Sequence, residues 1–261
     1  AVDETNYALK YPSDKQKPRI SFNETLHVVQ ALSAWSDNTS TVLRLVGWQG
    51  SGHDTLFPSL DQINPTVGTL DDLRRLATQA LEYNTIITYD MNTDDAYANF
   101  TATSCTGFNQ CNDSINPVPG TQDGQPNLDF QRKIIASQPD GSMWQWCGAL
   151  CATRTDPLQG PAYHLSKTKD TASGERWRRF NKFLATVPVA PTIHCDANHD
   201  QLNSWEPDER GFIAEDEEGI CGMLSDHNFW ASKGISSGCE GDDGALVGVG
   251  PVMAWSTMVS Y

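Results

Sequence analysis

The chain has 261 residues, 18 Lys and Arg against 33 Asp and Glu, and a formal net charge of −15 at pH 7. This acidity argues against nucleic acid and anionic membrane surfaces as partners, because few cations are available to neutralise phosphate groups. A hydrophobic content of 38% suffices for a sizeable core, and no apolar run approaches the roughly 20 residues of a membrane span.

Helix and strand patterns alternate along the chain, because apolar residues switch between helical spacing and short buried runs. Two helix starts are marked by capping boxes, Ser21 with Glu24 and Thr69 with Asp72. Helices are predicted over residues 22–35, 70–81, 130–135, 173–185 and 226–232, and strands over residues 41–48, 85–90, 143–147, 192–196 and 235–239.

Strands that alternate with helices indicate parallel pairing through right-handed crossovers, which predicts the α/β class. No Gly-x-Gly-x-x-Gly or Walker-type loop follows the first strand, so a (β/α) TIM-type barrel is favoured over a nucleotide-binding doubly wound sheet. Residues 1–261 are predicted to form one barrel domain with a loop insertion at about 92–140. About six strands are apparent where a closed barrel needs eight, which leaves open a barrel that is incomplete at the C-terminus.

Four acidic residues stand near the ends of predicted strands: Asp54, Asp90, Asp196 and Glu240. The catalytic groups of (β/α) barrels lie at this C-terminal face. Two facing carboxylates are what glycoside cleavage requires, because one donates a proton to the leaving oxygen and the other attacks or activates water. A single acid at such a position would be interpreted as the cap of a loop, but the set of four favours a glycosidase site.

Side-chain alternation along the strands refines this site. His194 and Asp196 are two residues apart and so share the face of the barrel mouth, while Cys195 faces the helix layer. Trp144 and Trp146 project to one side for the same reason, and such a pair suits the C–H face of a sugar ring. Two core indoles that fill space are the alternative interpretation of this pair.

A second chemistry is also compatible with the sequence. His53, Asp54, His194 and His199 are residue types of a metal site. The five-residue spacing of the last two suits neither a helical pair nor a compact zinc loop. The leading hypothesis therefore has no metal, a metal-dependent hydrolase is the second, and a catalytically inactive carbohydrate-binding barrel is the third.

Cysteines and glycosylation motifs indicate a secreted protein. Of seven Cys, the close pairs Cys105/Cys111 and Cys147/Cys151 favour disulfides over zinc ligands. The chain begins at Ala1 without an apolar leader, as expected of a processed mature protein. Four Asn-x-Ser/Thr sequons are present, at Asn23, Asn38, Asn99 and Asn112.

Several short patches, taken in order, resemble the catalytic barrel of endo-α-N-acetylgalactosaminidases. The first are Ser21-Phe-Asn-Glu-Thr-Leu26 and Leu45-Val-Gly-Trp-Gln49, followed by Gly52-His-Asp54. The later ones are residues 73–84, Trp144-Gln-Trp146, Tyr163 with Lys169-Asp-Thr-Ala-Ser-Gly174, Ile193-His-Cys-Asp196 and residues 234–240. Together they cover roughly 220 residues of the chain.

The resemblance implies a retaining glycoside hydrolase without a cofactor, which releases O-linked disaccharides from Ser/Thr of mucin-type glycoproteins. It assigns Asp196 as the nucleophile and Glu240, in Ser-Gly-Cys-Glu-Gly, as the general acid/base, with their carboxyl groups about 5–5.5 Å apart. The residues expected to bind the substrate are His53, Asp54, Asp90, Trp144, Trp146, Tyr163 and His194.

The chain departs from the family pattern in its size and its ends. Family members are large multidomain proteins, and 21 residues (261 − 240) follow Glu240 where the family barrel continues. Either the chain is truncated or nicked, or the barrel is completed differently, for example by the N-terminal 20 residues. A monomer acting on a glycan or glycoprotein is expected, with neither nucleic acid nor membrane as a partner.

Overall fold

The computed structural model describes residues 20–49, 60, 63–97, 121–122, 125–126, 134–137, 141–142, 144, 162–188, 191–196, 205–208, 211–214, 216–240 and 253–254. Within these ranges only the backbone is described for residues 95–97, 121–122, 125–126, 162–163, 196, 205–208, 211–214, 216–220, 239–240 and 253–254.

The helices of the described residues are α1 (Phe22–Trp35), α2 (Leu70–Ala80), α3 (Lys167–Ala172), α4 (Glu175–Thr186) and α5 (Asp216–Ser232). The two predicted capping boxes are confirmed. The Ser21 hydroxyl accepts the Glu24 N–H and the Glu24 carboxylate accepts the Ser21 N–H, and Thr69 and Asp72 repeat this arrangement at α2. Each box satisfies backbone donors that have no partner inside the helix, and thereby fixes where the helix begins.

The strands are β1 (Thr41–Leu45), β2 (Thr85–Asn92), β3 (Asp95–Tyr97), β4 (Thr121–Gln122), β5 (Gln125–Pro126), β6 (Ala162–His164), β7 (Thr192–Asp196), β8 (Trp205–Asp208), β9 (Gly211–Ala214), β10 (Ser236–Glu240) and β11 (Met253–Ala254). Five of them form a sheet in the order β1-β2-β7-β10-β11, and every pairing in it is parallel. Antiparallel pairs join β3 to β6, β4 to β5, and β8 to β9. The predicted parallel α/β architecture is thus confirmed for the described residues, while barrel closure stays a prediction.

The two faces of the sheet differ in chemistry, as β2 shows most clearly. Ile87, Tyr89 and Met91 are fully buried and belong to the hydrophobic core that the sheet shares with the helices. Thr88, Asp90 and Asn92 alternate with them, so the opposite face of the strand is polar. The core residues contributed by α2 and α4 include Leu73, Leu76, Phe180 and Phe183.

Several element boundaries differ from the predicted ones. Strand β1 ends at Leu45 instead of residue 48, and β2 continues to Asn92 because its last residues pair with β7. Helix α5 begins at Asp216, ten residues earlier than predicted, and its acidic start favours a helix N-terminus. The predicted helix at 130–135, the strand at 143–147 and the insertion at 92–140 lie largely outside the described residues.

Among the residues that the structure describes, none of the helices combines the length and the apolar character that crossing a membrane requires.

Candidate active site

The carboxyl ends of three neighbouring strands meet at one edge of the parallel sheet. Asn92, the last residue of β2, is the register partner of Asp196, the last residue of β7. Cys195 of β7 is paired with Cys239 of β10, so Asp196 and Glu240 each follow a paired residue directly. Neighbouring strands lie about 4.8 Å apart. The backbones of the two predicted catalytic residues therefore end side by side, on adjacent strands and at the same level.

A row of polar side chains crosses the sheet one layer below this edge. Asp90 and His194 are register partners, and His194 Nε2 lies 3.9 Å from Asp90 Oδ1. Arg44 Nη1 of β1 lies 3.5 Å from the same oxygen. Asp90 and His194 are both almost completely buried. The predicted substrate-binding pair Asp90 and His194 is thus brought together, with Arg44 as a neighbour that the sequence did not suggest.

The predicted facing of β7 is confirmed for the residues whose side chains are described. Cys195 is fully buried within the hydrophobic core on the helix side, while His194 meets Asp90 on the polar face. The facing of Asp196 with His194, and of Glu240 with Gly238, stays a prediction, because only the backbones of the two acidic residues are described.

Strand β10, which ends at Glu240, is fastened to α5 by a buried hydrogen bond. His227 Nδ1 and the Ser237 hydroxyl are 2.6 Å apart, and both residues are nearly inaccessible. Burial lowers the pKa of His227, against the opposing effect of the neighbouring Asp226 charge. His227 therefore favours its neutral form, and this contact holds the strand below its C-terminal end.

Two residues beyond the end of β2, Asp94 forms the centre of a buried charged group. Asp94 Oδ1 accepts a hydrogen bond from Lys167 Nζ at 2.7 Å, and Oδ2 lies 2.9 Å from His164 Nδ1. Burial by itself would raise the pKa of Asp94, but the charge of Lys167 and the hydrogen bond and charge of His164 outweigh it and lower that pKa. Asp94 is therefore ionised at neutral pH, and its charge is held in place from two sides.

The Asp94 group is joined directly to the end of β2. The Asn92 side-chain oxygen accepts the Asp94 N–H at 2.9 Å, and the Asp94 carbonyl accepts the Leu165 N–H at 2.6 Å. Asp94 is not among the predicted site residues, because the apolar pattern predicts a strand that ends at Asp90. With β2 ending at Asn92, Asp94 follows the strand end closely, as the other acidic residues of the predicted site do.

Trp144 lies next to this group. The Trp144 and His164 rings meet edge to face, with centroids 6.0 Å apart and an interplanar angle of 90°. The indole is partly exposed, as a sugar-binding surface requires. This contact places Trp144 beside the Asp94 group, while its role in binding a sugar stays a prediction.

Most of the remaining predicted site residues lie outside the described part of the chain. His53, Asp54, Trp146 and His199 lie outside the described residues. Tyr163 is placed in β6 by its backbone alone, opposite Ala96.

The predicted metal site and the predicted disulfides also involve residues outside the described part of the chain. No group of three or more His, Cys, Asp or Glu with metal-binding geometry occurs in the described portion. The predicted pairs Cys105/Cys111 and Cys147/Cys151 lie outside it, and Cys221, on the exposed side of α5, carries a free thiol. The metal-dependent hydrolase and the two disulfides stay predictions.

Comparison with known protein families identifies the family of this chain. The sequence profile of the endo-alpha-N-acetylgalactosaminidase family, glycoside hydrolase family 101, matches residues 4–211. The chain belongs to this family. Asp94, Lys167 and Asp196 lie within the matched residues of this family member, and Glu240 lies beyond them. A search of curated proteins finds none that matches the chain.

Solved structures of related folds agree with the parallel α/β architecture. Alpha-N-acetylgalactosaminidase NagBb from Bifidobacterium bifidum shares 15% identity, with a TM-score of 0.61 for its GalNAc complex, over 88% of this chain and 31% of that chain. Its ligand-free form gives a TM-score of 0.63 over 88% and 32% of the two chains. The GH36 alpha-galactosidase AgaA from Geobacillus stearothermophilus, in complex with stachyose, gives 11% identity and 0.51 over 85% and 26%. At these identities the likeness concerns the fold, and this family 101 chain spans less than a third of each structure's length.

Proposed function

We propose that the chain carries the catalytic machinery of a retaining endo-glycosidase that cleaves an α-linked N-acetylhexosamine bond of the mucin O-glycan type. Asp196 is the nucleophile in this proposal and Glu240 the general acid/base. The observation that supports it best is the termination of β7 and β10 side by side at those two residues. Family membership adds the substrate class.

The chemistry requires the two carboxyl groups to differ in protonation. The nucleophile must be ionised to attack the anomeric carbon, and the acid/base must first hold a proton for the leaving oxygen. A neighbouring negative charge and partial burial would raise the pKa of Glu240 and separate the two roles. The ionised Asp94 contributes negative charge at this edge, although Lys167 balances it locally.

The five parallel strands are proposed to form part of a (β/α) barrel whose mouth is the edge described above. The polar face with Asp90 and His194 would then line the interior of the barrel, and the apolar face would pack against the surrounding helices. The strand order of the sheet, in which every pair of neighbouring strands is parallel, supports this arrangement. A crystal structure with fewer than eight strands closing on themselves would contradict it.

The assignment of Asp196 and Glu240 can be tested with an aryl glycoside of an α-linked N-acetylgalactosamine disaccharide. Asp196→Ala is expected to lower kcat by more than about a thousandfold, with partial recovery when azide replaces the missing nucleophile. Glu240→Gln is expected to lose much less activity on a dinitrophenyl glycoside than on a glycoside with a poor leaving group. The dinitrophenyl group departs without a proton, so it does not need the acid.

The exposed Asp71→Asn serves as the matched control, since this carboxyl group lies on the surface of α2. Full activity in either site variant would remove the assignment. Glycan binding without turnover by the unmodified chain would instead identify an inactive carbohydrate-binding barrel.

A secreted location is proposed together with this activity. Asn38, in one of the four sequons, is exposed in the turn after α1 with φ 57°, and mucin-type substrates lie outside cells. The prediction is that the protein is recovered from the culture medium of its natural host with a mass that falls on enzymatic removal of N-glycans. Its retention inside the cells would contradict the proposed location.

A further inference from the structure

His164 lies between a buried carboxylate and a partly exposed indole. On one side its Nδ1 is 2.9 Å from Asp94 Oδ2, and on the other its ring meets that of Trp144 edge to face. The plane of the imidazole is perpendicular to that of the indole, which is a preferred geometry for two aromatic rings. His164 therefore connects a fixed charge in the interior to a ring at the surface.

The backbone of Trp144 is fixed by the strand that carries His164. The His164 N–H donates to the Trp144 carbonyl at 2.9 Å, and the Trp144 N–H donates to the Ala136 carbonyl at 2.8 Å. The Ala136 N–H in turn donates to the His164 carbonyl at 2.8 Å. With the backbone held, the torsions of the indole side chain are what remain to be fixed, and among described rings only that of His164 contacts it.

The imidazole is itself held rigidly. The ionised Asp94 accepts a hydrogen bond from Nδ1, so this nitrogen of His164 carries a hydrogen. Lys167 Nζ holds the other oxygen of Asp94 at 2.7 Å, and the side chains of this ion pair are each 1% exposed. Rotation of the His164 ring would leave a buried carboxylate with one donor fewer, which is unfavourable.

We propose that His164, held by Asp94, is a positioning residue that sets the orientation of the Trp144 indole for stacking on a sugar ring. This inference rests on the proposed function, because it takes a glycan as the ligand of Trp144. It adds to that function a residue that takes no part in cleaving the bond. In this proposal Asp94, His164 and Trp144 determine how tightly the sugar binds. Asp196 and Glu240 determine how fast the bond is cleaved.

The first test separates binding from bond cleavage. His164→Asn retains a side-chain N–H donor for Asp94 but removes the ring, and His164→Phe retains a ring but removes the donor. Both variants are expected to raise KM for the aryl disaccharide about fivefold, with kcat changed by less than about twofold. In a Trp144→Ala background, His164→Asn is expected to raise KM no further, because the ring it positions is absent.

The second test needs no substrate. The near-ultraviolet circular dichroism contributed by Trp144 is obtained as the difference between the unmodified protein and Trp144→Phe. When the same difference is taken in each variant, His164→Asn and His164→Phe are expected to change this contribution, whereas Asp71→Asn, which removes a surface charge elsewhere, is expected to leave it unchanged. If one His164 variant fails to fold, the other still provides both measurements.

The outcomes separate this inference from the proposed function. If the unmodified chain does not hydrolyse the substrate, the proposed function is contradicted. The circular dichroism measurement would still decide whether His164 orients Trp144. Unchanged KM and unchanged dichroism in a folded His164 variant would overturn the positioning role. An equal increase in KM with and without the Trp144 indole would also overturn it.

Discussion

Arg176 and Asp226, 50 residues apart in sequence, form a buried salt bridge in which Nε and Nη2 of the guanidinium both donate to the one carboxylate. Arg176 Nη1 lies 3.2 Å from Asp170 Oδ2, and Arg179 donates to that same oxygen. The four residues join α3, α4 and α5. Because Asp170 and Lys167 belong to the same short helix, this cluster also supports the charged group at the sheet edge.

We predict that Arg176→Met destabilises the fold strongly. The change leaves the carboxylate of Asp226 buried without its main cation, and loss of one partner of a buried pair costs about 3–5 kcal/mol. Arg74→Met is the matched control, since Arg74 pairs with Asp71 on the surface, where such pairs contribute about 0–1 kcal/mol. Urea unfolding measures both free energies, and equal losses in the two variants would contradict the prediction.

The stabilising effect of the Asp94 carboxylate is expected to depend on pH with a defined sign. The folded-state pKa lies below the usual 3.8, so the stabilisation is present above the unfolded-state pKa and is lost as pH falls through the folded-state pKa. The difference in free energy of unfolding between the unmodified protein and Asp94→Asn should thus be constant from about pH 7 to pH 5 and diminish below about pH 4.

Lys167→Met provides the comparison for this pH dependence. Without the ammonium group, burial is less opposed and the pKa of Asp94 rises, so the decline should move to higher pH. A difference that is the same at pH 3 and pH 7 would show that the pKa of Asp94 is equal in the folded and unfolded states, which would contradict its lowered pKa.

The helix starts could be predicted because their signals are local. The Thr69 hydroxyl accepts the Asp72 N–H, and the Asp72 carboxylate accepts the Thr69 N–H at 2.9 Å, within four consecutive residues. Backbone donors at a helix start require such partners, so residue types at this spacing identify the start. The parallel sheet could be predicted for a related reason, since its buried strands are short apolar runs separated by helices.

The charged group at the sheet edge could not be predicted in the same way. Asp94 and Lys167 are 73 residues apart, and no local pattern relates them. The end of β2 also differs from the predicted one, because the pairing of Asn92 with Asp196 on a distant strand extends β2. Contacts between distant segments leave no periodicity in the sequence. The strand ends at Asp196 and Glu240 could therefore be predicted, whereas Asp94 and Lys167 could not.

Thr69→Ala is expected to reduce stability by about 1 kcal/mol, because it removes the hydroxyl that caps α2. Thr78→Ala makes the same chemical change at an exposed position inside that helix. Alanine has the higher helix propensity, so this control should be neutral or slightly stabilising. Thermal unfolding distinguishes the two, and a loss for Thr78→Ala as large as that for Thr69→Ala would exclude capping as the cause.

Gly222→Ala is expected to destabilise the protein, although the same change in an ordinary helix is favourable by about 1 kcal/mol. A Cβ atom at Gly222 would lie 2.5 Å from Cβ of Lys167, which is closer than such atoms can approach. Helix α5 must then move away from α3, or Lys167 must shift from Asp94, and overpacking of this kind costs about 1–3 kcal/mol.

The control for this change is Asn228→Ala at an exposed position of α5. This variant should unfold at nearly the temperature of the unmodified protein. The proximity of Gly222 to Lys167 also predicts that Gly222→Ala raises KM for the aryl disaccharide, since the shifted ammonium loosens the support of His164. A Gly222→Ala variant more stable than the unmodified protein would show that the two helices are not packed this closely.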